Sequence, residues 1–364
     1  MIRTKLEHYD LNNVYYNGIL HNTSTTPLQA SIYDQRDKNI VDVANNYEIS
    51  IVRFSIPTTL IPILISPSFV NVYSVTLTFG SGGPGSPYQQ FVPYTNVSNT
   101  NLYPGSVAYY CYQDFLDDVN SALALAFSDL LFANPTCICT QPPSFFYDSF
   151  TQRINLFVES TYLDGTINGI NIYMNEILFN LFQAYSAEYN TIPAANGKDV
   201  RFRILNSNST AITNVLPRLG YPLYISTLTV PNLIEVQQEF TAISNFTSIR
   251  SIIITSGQLP TVAEYLPNIA TYDQSSGVSS NNKPIVSDFE IPTLPPQESR
   301  TIIEYLPTGE FRMISLTGNQ FINKIDFQAY FSDINGVFYP LYLDVNQTFS
   351  IKVLFRRKCH KNIH

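Results

Sequence analysis

The stretch Lys324-Ile325-Asp326-Phe327-Gln328-Ala329-Tyr330-Phe331 alternates apolar and polar residues, and so does Phe349-Ser350-Ile351-Lys352-Val353-Leu354-Phe355. A period of two places every second side chain on the same face of a β-strand. Between them lie the turn Asp333-Ile334-Asn335-Gly336, whose Asn-Gly pair suits positive φ, and a return strand over 337–343. The pattern predicts a three-stranded C-terminal meander with one apolar face, which must be buried.

The same signals recur through most of the chain. Residues 47–56 and 70–79 alternate, and short runs of Ile, Val, Phe, Tyr and Thr are separated by Pro, Gly, Asn and Asp. Further predicted strands cover 200–205, 223–230, 233–240, 249–256, 285–291, 300–306 and 311–316. Many short strands separated by turns are typical of a sandwich, so we expect a mainly β protein with a jelly-roll sandwich.

One segment departs from this pattern. Residues 113–132 carry apolar side chains at the i, i+3, i+4, i+7 spacing of an amphipathic helix, which Asn134-Pro135 should end. Residues 145–158 indicate a hairpin around Asp148-Ser149, and 172–182 a second short helix. We therefore expect an α/β insertion over 111–190. The β domain then consists of 1–110 and 191–364, ending in the meander and a basic tail.

The composition points to an assembly. Charged residues make up 13% of the 364 residues and hydrophobic residues 45%, with 25 Tyr, 24 Phe and no Trp. Ordinary soluble domains are about a quarter charged. Because the chain has too little charge to coat its surface, we expect much of that surface to be covered by other protein chains. A homo-oligomer that also contacts neighbouring subunits of an assembly would satisfy this.

The net charge, the apolar segments and the cysteine spacing further limit the class of protein and its compartment. The net charge of −8 argues against a protein whose whole surface grips nucleic acid. Residues 1–8 have no apolar signal region, and the apolar run over 56–65 is too short to span a membrane. The four cysteines have no disulfide-like spacing, and Cys137-Ile138-Cys139 is too tight for a zinc knuckle. We expect free thiols and assembly in a reducing compartment.

No catalytic, cofactor-binding or metal-binding residue is predicted. The four histidines lie near the chain ends, where a rigid catalytic or metal site is unusual, and Cys359-His360 with His364 lacks supporting groups. The glycine-rich stretch 80–86 lacks the Gly-Lys-Ser/Thr ending of a phosphate-binding loop. Adjacent on the predicted helix, Asp117 and Asp118 are expected to be solvated first-turn residues rather than an acid/base pair.

Basic residues concentrate at the C-terminus, where the last thirteen positions hold five of the 20. Of these, Arg356, Arg357, Lys358 and Lys361 are the candidates for electrostatic contacts. One interpretation is a solvated chain end. The other is contact with phosphates or with an acidic patch on a neighbouring subunit.

Three stretches share a resemblance with one family. They are Tyr47 to Pro57 followed by Leu60-Ile61-Pro62-Ile63; Phe145-Phe146-Tyr147-Asp148 to Asn155-Leu156-Phe157 with Asn175 to Phe182; and Asn335-Gly336 to Tyr339-Pro340-Leu341-Tyr342 with Ile351 to Lys358. In this order they resemble the vertex (penton) capsid proteins of virophages and polinton-like viruses. The resemblance spans most of the chain.

This resemblance implies a single jelly roll that carries an insertion, in a structural, non-enzymatic subunit of an icosahedral virion that forms pentamers at the five-fold vertices. The reducing compartment would then be that of the host, and the phosphates that the basic tail could contact would be those of the genome. A major capsid protein with two jelly rolls is the near alternative, because 364 residues can hold two compact ones. The helix-containing insertion, and the lack of a second copy of the strand pattern, favour one. A receptor- or carbohydrate-binding β module of a virion spike is a further alternative, weakened by the absence of Trp.

Overall fold

The computed structural model describes residues 13–67, 72–80, 87–95, 102–103, 106–189, 199–212, 233–246, 249–261, 284–290, 302–306, 312–333 and 337–358. Contacts between Cα atoms divide the chain into two compact units. Unit 1 comprises Met1–Ile61, Ser248–Pro295 and Ser299–His364, and unit 2 comprises Pro62–Thr247 and Pro296–Glu298.

The elements of the first half are β1 (Asn13–His21), β2 (Leu28–Gln29), β3 (Ser31–Gln35), β4 (Tyr47–Pro57), β5 (Leu64–Pro67), β6 (Ser74–Phe79), β7 (Tyr88–Phe91), β8 (Ser106–Tyr109), α1 (Tyr112–Ala133), β9 (Ser144–Asp148), β10 (Arg153–Glu159), β11 (Ile170–Asn175) and α2 (Glu176–Phe179). Then follow β12 (Ala187–Tyr189), β13 (Asp199–Phe202), β14 (Ser209–Ala211), β15 (Leu233–Gln237), β16 (Ile249–Thr255), β17 (Ile285–Glu290), β18 (Ile302–Tyr305), β19 (Ile314–Ser315), β20 (Lys324–Asp333), β21 (Phe338–Pro340), β22 (Tyr342–Leu343) and β23 (Thr348–Arg357). Short 3-10 turns cover Ala44–Asn46, Ser160–Tyr162, Asn180–Phe182 and Ile243–Asn245.

Unit 1 is a β-sandwich. Sheet 1 has the order β1-β23-β4-β18, with β19 also on β4, and sheet 2 has the order β17-β16-β20-β21, with β3 also on β20. Apolar side chains from the two sheets meet between them. Phe54 of sheet 1 contacts Phe289 of sheet 2 with ring centroids 4.7 Å apart, and Tyr16 lies 6.3 Å from Phe327. Alternation along each strand therefore builds the predicted jelly-roll core.

The predicted C-terminal meander does not form. Strand β20 lies in sheet 2 beside β16, β21 and β3, whereas β23 lies in the middle of sheet 1 between β1 and β4. The return strand is divided at Leu341, which is fully buried: β21 pairs with β20, and β22 pairs with β2. Because both edges of β20 are already paired, the last strand takes its partners from the N-terminal third of the chain. The Asn335-Gly336 turn lies outside the described residues.

Unit 2 surrounds helix α1 with strands. Sheet 3 has the order β12-β13-β11-β6-β7 and sheet 4 the order β14-β15-β10-β9, while β5 pairs with β8. Apolar residues of α1 and of both sheets form one continuous cluster. The helix predicted over 113–132 is confirmed, and it ends where the backbone N–H of Asn134 donates to Leu130 O at 2.9 Å. The predicted hairpin is also confirmed as β9 and β10, with Arg153 opposite Asp148.

Two features of this region differ from the sequence expectation. The compact unit runs over 62–247 rather than 111–190, because β6 pairs with β11 and β15 pairs with β10. The second helix begins late, since Ile170–Asn175 is a strand and only Glu176–Phe179, extended by a 3-10 turn, is helical. The Asn175 side chain sets this start by accepting a 3.2 Å hydrogen bond from the N–H of Leu178.

Candidate interaction surface

The outward face of sheet 1 carries apolar side chains on its edge strand. In β1 the inward residues Tyr16 and Gly18 are buried, while Tyr15 is 53% exposed and Ile19 is 71% exposed. The strand has no Pro and no charged residue along its nine positions. Edge strands are usually protected by charge, Pro or a bulge. This uncharged edge strand therefore has the composition of a surface that another chain covers.

Two cations lie side by side next to the exposed Tyr15 and Ile19 of β1. In the register of β23 and β4, Lys352 is directly opposite Arg53, and in the register of β1 it is opposite Asn17. The Lys352 Nζ lies 4.9 Å from the centre of the Tyr15 ring. Within the described part of the chain, neither cation has an ion-pair partner. We call Arg53 and Lys352 the basic pair.

The predicted basic tail begins inside a strand. Arg356 and Arg357 are the last residues of β23, which lies between β1 and β4, so they belong to the sandwich. Arg356 forms a 3.1 Å ion pair with Glu48, its cross-strand neighbour on β4. The Lys358 Nζ donates a 3.2 Å hydrogen bond to Leu316 O. Two of the four predicted contact residues are thus engaged within the chain.

Arg357 and Lys361 complete the predicted set. Arg357 is opposite Tyr47 and lies near Asp42, whose pKa is lowered mainly by the N–H of Val43 and to a smaller extent by the Arg357 charge. Lys361 lies outside the described residues, as do Cys359 and His360. Contact of these residues with genome or with an acidic subunit surface stays a prediction.

The outward face of sheet 2 has the opposite charge at one edge. Phe289 points into the sandwich, so its neighbours Asp288 and Glu290 point outward on the edge strand β17. Asp288 is paired with Arg312, and both side chains remain about half exposed. Glu290 is exposed and has no ion-pair partner among the described residues. We call Asp288 and Glu290 the acidic pair.

The expectation for Asp118 is wrong. This carboxylate is fully buried rather than solvated, and it accepts hydrogen bonds from Tyr109 Oη at 2.8 Å and from Thr95 Oγ1 at 2.5 Å. Asp117 does lie at the surface side of the helix, where it accepts a 2.8 Å bond from Gln113. The two carboxylates point in different directions, as their adjacency predicts.

The remaining residues singled out in the sequence are the cysteines, the histidines and the glycine-rich stretch. In the described part of the chain, no group of three or more His, Cys, Asp or Glu side chains is placed to hold a metal ion. Cys111, Cys137 and Cys139 are free thiols, and burial raises the pKa of Cys139 to about 11. None of the helices described has the length and apolarity needed to cross a membrane. His8 and His364 fall outside the described residues, and so do Gly82, Gly83 and Gly85 of the glycine-rich stretch.

Comparison with known proteins places this fold. Structural protein V19 of Sputnik virophage is 30% identical over 221 residues, which cover 59% of this chain and 94% of that protein. A chain in the 3.5 Å cryo-EM structure of the Sputnik virophage is 26% identical, with a TM-score of 0.73 over 95% of this chain and 98% of that chain. The crystal structure of the mavirus penton protein has the same fold, with a TM-score of 0.66 at 15% identity over 95% of this chain and 99% of that chain.

The match to a family model is the most extensive of these findings. The model of the Sputnik minor capsid protein V18/19 covers residues 9–357, which include the whole of unit 2 and every strand described above. The resemblance seen in the sequence is thereby confirmed. The chain belongs to the Sputnik minor capsid protein V18/19 family and is a structural protein of a viral capsid.

Proposed function

We propose that this chain is the penton of an icosahedral particle, with five copies closing each five-fold vertex. The observation that carries the proposal is the family match over residues 9–357, which includes every strand of the jelly-roll unit and the whole of the helix-bearing unit. The fold shared with the mavirus penton protein supports it. In this role the protein acts by burying surface between subunits, and no reaction is involved.

The architecture favours a penton over a major capsid protein with two jelly rolls. Unit 1 alone contains the two facing sheets of a jelly roll, whereas unit 2 packs its sheets against the 22-residue helix α1. A double jelly roll would repeat the first sandwich. The exposed apolar side chains of β1 supply the kind of surface that subunit contacts use.

The free cysteines support assembly in a reducing compartment. Cys111 is exposed and Cys139 is buried, yet neither is in a disulfide. Disulfides are rare in proteins that mature where thiols are kept reduced. The virion would therefore be built inside the host cell. Thiol labelling of unfolded protein from purified particles tests this, because a disulfide formed by any of the four cysteines would contradict it.

Native mass spectrometry of the purified full-length chain tests the penton proposal. We expect a discrete species of five times the 41.1-kDa chain mass, and five-fold rings in negative-stain images. Closed cyclic symmetry explains why association stops at one size. A discrete oligomer of any other size would contradict the pentamer, and a chain that stays monomeric at micromolar concentration would contradict any self-assembling role.

A further inference from the structure

The basic pair is unfavourable within one subunit. Arg53 and Lys352 are cross-strand neighbours on the outward face of sheet 1, and like charges placed directly opposite each other destabilise a sheet. Glu304 lies opposite Ser55, so it reaches Arg53 only diagonally and forms no ion pair with it. Among the described residues no carboxylate pairs with either cation, and only the Tyr15 ring, 4.9 Å from the Lys352 Nζ, offsets part of the repulsion. An external acidic group would offset the rest.

We propose that the basic pair of one subunit binds the acidic pair, Asp288 and Glu290, of a second copy of the same chain. Glu290 has no ion-pair partner among the described residues, and Asp288 shares only a half-exposed contact with Arg312. The two carboxylates are two residues apart on one strand, which places them about 7 Å from each other. The Cβ atoms of cross-strand neighbours such as Arg53 and Lys352 are about 5 Å apart. Their side chains are long and flexible enough to reach two carboxylates at the larger separation.

The positions of the two pairs give the contact a direction. Phe54 and Phe289 meet inside the sandwich, so their neighbours Arg53 and Asp288 point out of opposite faces. A contact from one face to the opposite face of the next copy is head-to-tail, and such contacts close into a ring when the rotation permits. The inference therefore rests on the proposed penton and names the surfaces that join its subunits.

A compact acidic protein surface fits the basic pair better than a nucleic acid. A nucleic acid makes many phosphate contacts with a run of free cations. Here Arg356, which lies on the same strand and face as Lys352, is already paired with Glu48, and the chain as a whole carries a net charge of −8. The neighbouring Tyr15 and Ile19 add exposed apolar surface suited to a protein contact.

Charge reversal in the full-length chain tests the inference by sedimentation velocity at low salt. The variant Arg53→Glu/Lys352→Glu and the variant Asp288→Lys/Glu290→Lys should each dissociate into smaller species, with affinity reduced about tenfold or more. Combining all four changes exchanges the charges of the two faces and should restore the ring. Lys38→Glu, an exposed loop change outside both pairs, serves as the control and should leave the ring intact.

The outcomes separate this inference from the penton proposal. Each variant is first checked for native circular dichroism, and Arg53→Ser/Lys352→Ser provides a neutral version that leaves no charge to repel. If the wild type is a pentamer and both double charge-reversal variants are pentamers as well, the inference is overturned and the penton proposal is unaffected. Loss of binding to duplex DNA in the neutral version, with the pentamer unchanged, would assign the basic pair to nucleic acid instead. A monomeric wild type would overturn both.

Discussion

The phenol of Tyr109 donates a 2.8 Å hydrogen bond to the carboxylate of Asp118, a residue of α1 with no exposed surface. Thr95 adds its hydroxyl at 2.5 Å and its backbone N–H at 3.2 Å. A buried carboxylate is tolerated only when hydrogen bonds replace its lost hydration. These contacts therefore fix the helix against β8 and against the segment that follows β7.

Replacing Asp118 should weaken unit 2. Asp118→Ala leaves the buried Tyr109 hydroxyl without this acceptor and removes the bonds from the exposed Thr95, so we expect the free energy of unfolding to fall by about 2 kcal/mol. Asp118→Asn keeps one acceptor and should cost about half as much. Urea unfolding followed by circular dichroism measures both. Asp117→Asn, one position earlier on the same helix, should change stability by less than about 0.5 kcal/mol.

Buried tyrosines should make the protein sensitive to alkali. Burial raises the pKa of Tyr73 from 10.0 to about 12, and burial together with the Asp34 carboxylate raises that of Tyr16 to about 12. Between pH 10 and 12 these phenols are ionised in the unfolded chain but protonated in the folded one. The folded state then binds more protons than the unfolded state. The contribution of these phenols to the free energy of unfolding is therefore fully present below pH 10 and is lost as pH rises through this window.

The variant Tyr73→Phe measures how much of this alkaline loss of stability comes from the Tyr73 phenol. We expect the fall in unfolding free energy above pH 10 to become shallower by about 1.4 kcal/mol per pH unit, the contribution of one proton. Urea unfolding at several pH values between 9 and 11.5 measures the slope. Tyr15→Phe, at an exposed phenol, is the matched control. Equal slopes in wild type and Tyr73→Phe would show that this phenol titrates normally.

Asn22 ties the end of β1 to the turn before β23. Its fully buried amide donates to the carbonyls of Thr26, Leu343 and Asp344 at 3.0–3.1 Å, and its oxygen accepts from Ser24. We expect Asn22→Ala to lower the melting temperature and to cost about 2 kcal/mol. Asn22→Asp should cost more at pH 7, because its carboxylate would face carbonyl oxygens, and should recover as pH falls below the carboxyl pKa. A larger loss in Asn22→Ala than in Asn22→Asp would contradict this.

Local patterns predicted local elements well. Helix α1 follows from apolar spacing within one segment, and the β9–β10 hairpin follows from two adjacent strands around Asp148. The same spacing contained an unused signal: position 118 lies three residues after Phe115 and four before Ala122, both fully buried. An aspartate on that face had to be buried with hydrogen-bond partners. The helical spacing therefore predicted a buried Asp118, and our expectation that it is solvated did not use that pattern.

The sequence pattern could not predict which strands, distant along the chain, pair with each other. The alternation in β20 and β23 is correct, yet it does not say which sheet each strand joins, because an apolar face packs equally well in either. The basic pair depends on a register between residues 299 positions apart in the chain, shifted by an irregularity after Lys352. One residue of slippage would place Arg53 beside another neighbour.

The repulsion inside the basic pair yields a prediction for the isolated subunit. Arg53→Glu converts a like-charge cross-strand pair into an opposite-charge pair and leaves the contact of Lys352 with Tyr15 in place. We expect the unfolding free energy of the dissociated chain to rise by about 0.5 kcal/mol at low salt, even though the same change weakens assembly. The gain should shrink in 1 M NaCl, where charges are screened within about 3 Å. Thermal unfolding at nanomolar concentration, by tyrosine fluorescence, measures it against Lys38→Glu, and a loss of stability would mean that Arg53 has a favourable partner within the subunit.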